Sequence, residues 1–209
     1  MRSPRHPNLN ARTARTLKSC DIILASASPR RKELLKEVFP SFKISAQDAP
    51  EEKNGRFPSR LTMNNALAKA RCVKDGNALI IAADTVVYMD GKYYLKPSDE
   101  ADARRMLKEL SGRTHFVYTG VAMKMGDECR TFYDKSAVKL KKLSDDEIKS
   151  YVSTGSPLDK AGAYGVQDGL VVEKFSGSFS NIMGLPVEKL KYEAEKFLRR
   201  RYGSDGIGR

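Results

Sequence analysis

Histidine and cysteine are scarce in this 209-residue chain: two histidines, His6 and His115, and three cysteines, Cys20, Cys72 and Cys129. Two histidines remove most histidine-based zinc sites and argue against a Ser/His/Asp hydrolase. Three cysteines are odd in number and share no metal-ligand spacing, so they read as buried or inert reduced thiols rather than a disulfide framework. Long apolar runs are missing too. The longest, Ala78 to Ala83, is far short of the ~20 residues that cross a bilayer, and no secretory hydrophobic segment opens the chain. No internal repeat and no low-complexity segment is found. These absences leave a chain read as soluble and cytoplasmic, with organellar targeting by residues 1–18 as the alternative address.

Composition supplies the rest of the frame. With 40% hydrophobic residues, the chain can bury a real core as one large domain or two lobes. The net charge of +12 suggests nucleic acid until its location is considered. Residues 1–18 contribute +5 and residues 199–209 contribute +3, leaving +4 for the body. So mild a body charge does not make nucleic acid the main partner. Residues 1–18 are expected to be a disordered basic extension, residues 19–201 the folded domain, and residues 202–209 a flexible tail.

The apolar run Ile22 to Ala25 reads as a strand that turns through Ser26-Ala27-Ser28 into a helix. Ser28 is placed at the N-cap and Pro29 at the first helical position. Arg30 and Arg31 then fall in the first turn, where the helix dipole is positive and each cation costs about 0.3–1 kcal/mol. An anion is expected to offset that cost. Backbone N–H groups, hydroxyls and guanidiniums converging at a helix start suit a polyphosphate, solvated arginines being the alternative.

Further along, a strand over 42–46, a polar loop from Gln47 to Pro58, and a helix from Ser59 to about Val73 are predicted. On that helix Lys69 lies about 60° from Ala66, at the edge of the apolar face, and such an edge can look into a cleft. Leu79 to Val87 reads as a buried strand broken by Asp84, turning at Asp90-Gly91 into Tyr93 to Leu95. A helix opens at Ser98 to Glu100 and closes at Ser111-Gly112. A second hairpin pairs 114–125 with 129–140, and Ser144 with Glu147 forms a capping box. A glycine-rich loop to Gly169, a strand over 170–175, a Ser/Gly loop and a helix from Val187 to about Arg201 complete the chain. Strands and helices alternate with hairpins mixed in, which argues for an α/β fold with a mixed sheet.

Asp84 places a carboxylate inside an apolar strand, where it needs a partner or a metal. Its chemical reading is a magnesium ligand or the base that orients water; its structural reading is a satisfied aspartate at a strand bend. Glu51 and Glu52 in the polar loop are candidates for a second metal ligand. Lys96, held extended by Pro97, joins Lys69, Arg30 and Arg31 as a set of cations for a highly negative ligand. The stretch from Asp159 to Gln167 is too small and glycine-rich to be a packing element and suits close backbone approach to a ligand. Gln167 can read a base edge through its paired donor and acceptor.

The motifs LASASPRR, AADTVV, LKPSD, LSGRTH and LDKAGAYGVQ, taken in this order, resemble those of the Maf-like nucleotide pyrophosphatases from about Ile22 to Leu198. The resemblance implies an α/β fold with a mixed central sheet, flanking helices and two lobes around a deep cleft, related to inosine triphosphate pyrophosphatases and often dimeric. It implies phosphate handling by Ser26, Arg30, Arg31, Lys69 and Lys96, with Asp84 as proton acceptor and, with Glu52, holder of Mg²⁺ or Mn²⁺. Arg30, Thr85 and Gln167 match the branch acting on dTTP and UTP. The implied reaction is hydrolysis of a nucleoside triphosphate to monophosphate and pyrophosphate. A non-enzymatic nucleotide- or DNA-binding regulator of septation is the competing class, and a purine-selective pyrophosphatase a third reading.

Overall fold

Six strands of the described sheet owe their positions to one long central strand. A computed structural model describes residues 21–202. In it β3 (Leu79–Met89) pairs along most of its length with β5 (Thr114–Met125), antiparallel. On the other edge β3 pairs in parallel with β1 (Ile22–Leu24) over Leu79–Ile81, and antiparallel with β4 (Lys92–Tyr94) over Val87–Met89. Between those pairings, residues 82–86 have no strand on that edge among the described residues. β2 (Lys43–Ile44) extends the sheet beyond β1, while β6 (Glu128–Leu140) and β7 (Val172–Ser176) extend it beyond β5, giving the order β2-β1-β3-β5-β6-β7. The predicted mixed sheet is therefore observed.

The helices cover this sheet as the apolar periodicity dictates. α1 (Pro29–Lys36) and α6 (Val187–Tyr202) pack Leu34, Leu35, Leu190 and Phe197 against Leu24, Leu79, Ile81 and Val121. α2 (Pro58–Cys72) covers the opposite face, setting Ala66 and Ala70 on Ile23, Ile80 and Ala122. A further core joins α3 (Glu100–Leu110) and α4 (Asp145–Ser153) to the far ends of β3, β5 and β6 through Leu107, Leu110, Val152, Val87 and Leu140. α5 (Phe179–Met183) links this core to α6. No helix among the described residues is long and apolar enough to cross a membrane.

Local signals account for the element ends. Ser28 caps α1, its Oγ accepting from the Arg31 N–H at 3.5 Å. Ser144 and Glu147 form the capping box of α4. The β3–β4 turn takes positive φ at Asp90 (49°) and Gly91 (81°), the conformation a tight hairpin requires.

Several expectations need correction. Asp84 does not break β3: it pairs with Gly120 across an uninterrupted ladder, because a side chain that points out of the sheet leaves the backbone bonds intact. Ser59 is not the cap of α2, which begins at Pro58 with Phe57 at the cap and no side-chain cap bond; proline's fixed φ suits the first helical position. The Ser/Gly loop contains α5, started by Ser178, whose Oγ accepts from the Asn181 N–H at 3.1 Å. The glycine-rich stretch forms short 3₁₀ turns and does pack, burying Ala163 and Tyr164 in the core with α3. Cys72, half-buried, and Cys129, exposed, are both free thiols, in keeping with the reduced cysteines expected. Cys20, His6, the basic extension and nearly all of the tail lie outside the described residues.

His115 on β5 is fully buried, its Nε2 2.7 Å from the Tyr164 hydroxyl and its Nδ1 without a partner among the described residues. Burial pushes its pKa down to about 4. Between that value and the usual 6.5 the unfolded chain binds a proton that the folded chain does not, so stability rises with pH through this window. About 2 kcal/mol is expected to be lost on going from pH 7 to pH 5. Urea unfolding of the protein and of His115→Gln at both pH values checks this, the variant losing less.

Candidate active site

The gap at residues 82–86 of β3 is where the predicted residues gather. Strand alternation sends Asp84 to the face covered by α2 and Thr85 to the opposite face, and with no neighbouring strand both reach one cleft. Gly120, opposite Asp84, makes this possible. A Cβ there would meet the Thr62 carbonyl carbon at 2.3 Å and the Met63 nitrogen at 2.4 Å. The α2 backbone thus lies directly on the sheet, bringing Asn65 and Lys69 against Asp84.

Asp84 is buried, and each of its carboxylate oxygens accepts a hydrogen bond. Oδ1 accepts from Lys69 Nζ at 2.8 Å, and Oδ2 accepts from Asn65 Nδ2 at 3.0 Å. Lys69 also meets Glu51 Oε1 at 2.8 Å, so one ammonium links two carboxylates. Glu51, rather than Glu52, is the loop acid on this ammonium. The Glu52 side chain instead accepts from Asn64 at 3.3 Å, and its backbone pairs with Asn65.

The two arginines at the start of α1 take different partners. Arg31 donates from Nε to the Gly184 carbonyl (2.9 Å), from Nη1 to Ser26 Oγ (3.2 Å) and from Nη2 to Thr85 Oγ1 (3.1 Å). Thr119 Oγ1 donates to the Asn181 carbonyl at 2.9 Å, so the Thr85 hydroxyl, 3.0 Å from Thr119, donates to Thr119 and accepts from Arg31. Burial lowers the Arg31 pKa, while the charge of Asp84 pulls it back up. Arg30 reaches across the cleft instead, Nη1 donating to Asp159 Oδ2 at 2.7 Å and Nη2 to the Asp159 carbonyl at 3.2 Å. Asp159 is the anion that the crowded helix start called for. Burial raises its pKa, but the bonds from Lys160 and Arg30 outweigh that and hold it below the ordinary carboxylate range.

Arg30, Arg31, Glu52, Lys69, Asp84, Thr85, Lys96 and Gln167 all line this cleft. Ser26 stands a layer behind, orienting Arg31. Lys96 and the Gln167 amide have no hydrogen-bond or ion-pair partner among the described residues. Sequence reasoning missed Asn65, although its place four residues before Lys69 puts both on one helix face. It also missed Lys160, whose Nζ donates to Asp159 Oδ1 (2.8 Å), the Ser156 carbonyl (2.5 Å) and Ser156 Oγ (3.0 Å).

The donor set decides which metal could fit. No group of three or more His, Cys, Asp or Glu converges among the described residues, so no all-protein cage is available. Asp84 and Glu51, which already share one cation, match the one or two carboxylates that Mg²⁺ takes when phosphate oxygens and water complete its shell. A hydrated ion arriving with a polyphosphate fits; a tightly held structural ion does not.

A cleft in a mixed sheet that sets cations from α1, α2 and the segment after β4 around a buried carboxylate defines a polyphosphate-handling α/β enzyme. Within that class the chain belongs to the family of Maf-like proteins, whose model matches residues 21–197. A protein from Dictyoglomus thermophilum named dTTP/UTP pyrophosphatase is 46% identical over 178 residues, 81% of this chain and 92% of its own length. Proteins of the same name from Thermosipho melanesiensis and Bacillus cereus are 45% and 42% identical, the chain covering 94% and 95% of them. A solved structure, that of the Staphylococcus aureus Ham1 protein, overlaps with a TM-score of 0.44 at 20% identity, over 58% of this chain and 72% of that one.

Proposed function

We propose that this protein hydrolyses dTTP and UTP to the monophosphate and pyrophosphate, removing these or modified pyrimidine nucleotides from the pool. The observation that carries the reading is the buried Asp84 facing Lys69, Arg31, Arg30 and Lys96 in one cleft. A pure binder needs the cations but not a carboxylate held among them. The relatives' shared name supplies the substrate class.

In this reading Asp84 orients a water molecule and accepts its proton as the water oxygen bonds to the α-phosphorus. The bond from that phosphorus to the bridging oxygen breaks, and pyrophosphate leaves with the bonding electrons. Arg30, Arg31, Lys69 and Lys96 stabilise the charge that builds on it, so positioning and electrostatics carry most of the acceleration. A divalent ion, Mg²⁺ or Mn²⁺, held by Asp84 with Glu51 or Glu52, would neutralise phosphate charge when bound. Arg30 exchanges Asp159 for phosphate, both anions suiting the same guanidinium fork. Thr85 keeps Arg31 aimed, and the Gln167 amide pairs its acceptor and donor with the N–H and adjacent carbonyl of a uracil or thymine ring. The reading includes a homodimer in the cytoplasm, with nucleic acid no main partner.

Pyrophosphate release measured with dTTP, UTP, dATP and GTP tests it. The pyrimidine substrates are expected to exceed the purines by at least about tenfold in kcat/KM, since a bidentate contact is lost with the wrong ring. Equal rates would remove the base assignment; no pyrophosphate from any substrate, with Mg²⁺ or Mn²⁺ present, would leave a binder.

A further inference from the structure

The acidic loop before α2 reaches the site through one buried side chain. Asn65, 3% exposed, accepts at Oδ1 from the Glu52 N–H (2.8 Å) and donates from Nδ2 to the Glu52 carbonyl (2.9 Å). The second Nδ2 hydrogen goes to Asp84 Oδ2 at 3.0 Å. The amide is therefore paired with a stretch of backbone as a neighbouring strand would be, and its remaining donor is spent on the carboxylate. Only one orientation of the amide satisfies all three partners, since the carboxylate can only accept and the Glu52 N–H can only donate.

Two consequences follow from the chemistry of these bonds. Lys69 holds one oxygen of Asp84 and Asn65 the other, so the carboxylate has a single rotamer and a fixed plane. The same side chain pins residue 52, and with it Glu51, which shares the Lys69 ammonium with Asp84. Ties of the loop to the rest of the site also include the Tyr93 hydroxyl to the Gly55 carbonyl, Asn64 to Glu52 and the Glu51–Lys69 pair itself, each with at least one exposed partner.

We infer that Asn65 is a positioning residue that registers the acidic loop on Asp84, so that Glu51 and Asp84 face one cation together. The inference rests on the role given to Asp84 above. It assigns to Asn65 no contact with substrate; its effect passes through the two carboxylates. Outer groups that orient acidic ligands typically change activity by about 10–100-fold when replaced.

The experiment compares Asn65→Leu and Asn65→Asp in the full chain, with Asp84→Asn alongside. Leucine removes all three bonds while keeping the branched shape and heavy-atom count; aspartate keeps the acceptor for the Glu52 N–H but turns the donor facing Asp84 into a like charge. Both variants are expected to lose about 10–100-fold in kcat for dTTP with KM within about twofold, because the phosphate-binding cations are untouched. Trypsin is expected to cut after Lys53 or Arg56 faster in Asn65→Leu than in the unaltered protein. A kcat within about twofold of the unaltered protein for either variant overturns the inference, as does recovery in Asn65→Asp, which would mean that loop anchoring alone matters. If Asn65→Leu does not fold, Asn65→Asp carries the test. Full activity in Asp84→Asn would instead overturn the reading of the site itself, so the two failures are distinguishable.

Discussion

Asp84→Asn is expected to lower kcat for dTTP by about 10²–10⁴-fold, the range over which a positioned base accelerates proton transfer. KM is expected to change by less than about threefold. The side chain is isosteric, and its oxygen can still accept from Asn65, whose donor lies 3.0 Å away. Lys69 keeps Glu51 as its anion, so the cation set is not left unpaired. The substitution therefore removes the charge and the proton-accepting lone pair while leaving the walls of the cleft in place. A loss confined to kcat marks an interaction made in the transition state. Equal changes in kcat and KM would indicate that Asp84 only shapes the cleft.

Gly120→Ala is expected to destabilise the fold by about 3 kcal/mol or more, an overpacking cost at the upper end because the obstruction is backbone. A methyl group at this point would stand 2.3 Å from the Thr62 carbonyl carbon and 2.4 Å from the Met63 nitrogen. Neither atom belongs to a side chain that can swing away, so α2 must lift off the sheet as a unit. For a chain of this size the midpoint should fall by roughly 6–12 °C in a thermal melt. Activity should fall too in whatever fraction remains folded, since Asn65 and Lys69 ride on the same helix as Thr62. An unchanged midpoint would contradict the close approach on which the site is built.

The sequence made the site's chemistry legible but not its internal wiring. Ser28 and Pro29 announced the start of α1, and the placement of two arginines in its first turn correctly signalled a missing anion. That Asp159 supplies it could not be read, because the two residues are 129 positions apart and each alone is an ordinary surface charge. Asp84 stands out in its apolar run, yet a lone carboxylate there reads as a break where the strand in fact continues. Periodicity does not reveal that an adjacent helix carries two donors to satisfy it, and that a gap between β1 and β4 opens the cleft beside it. Asn65 went unnoticed because an asparagine in mid-helix is unremarkable until its neighbours are known. α5 was hidden in a Ser/Gly stretch because five residues are too few to show a helical period. The hairpins and the α4 capping box were legible because their determinants are local.

Cleavage between the α- and β-phosphorus, directed by Asp84 among the cations, is best tested with a single turnover of dTTP in ¹⁸O-labelled water. The account predicts one labelled oxygen in the monophosphate and none in the pyrophosphate. Label in the pyrophosphate, or release of orthophosphate in its place, would contradict it.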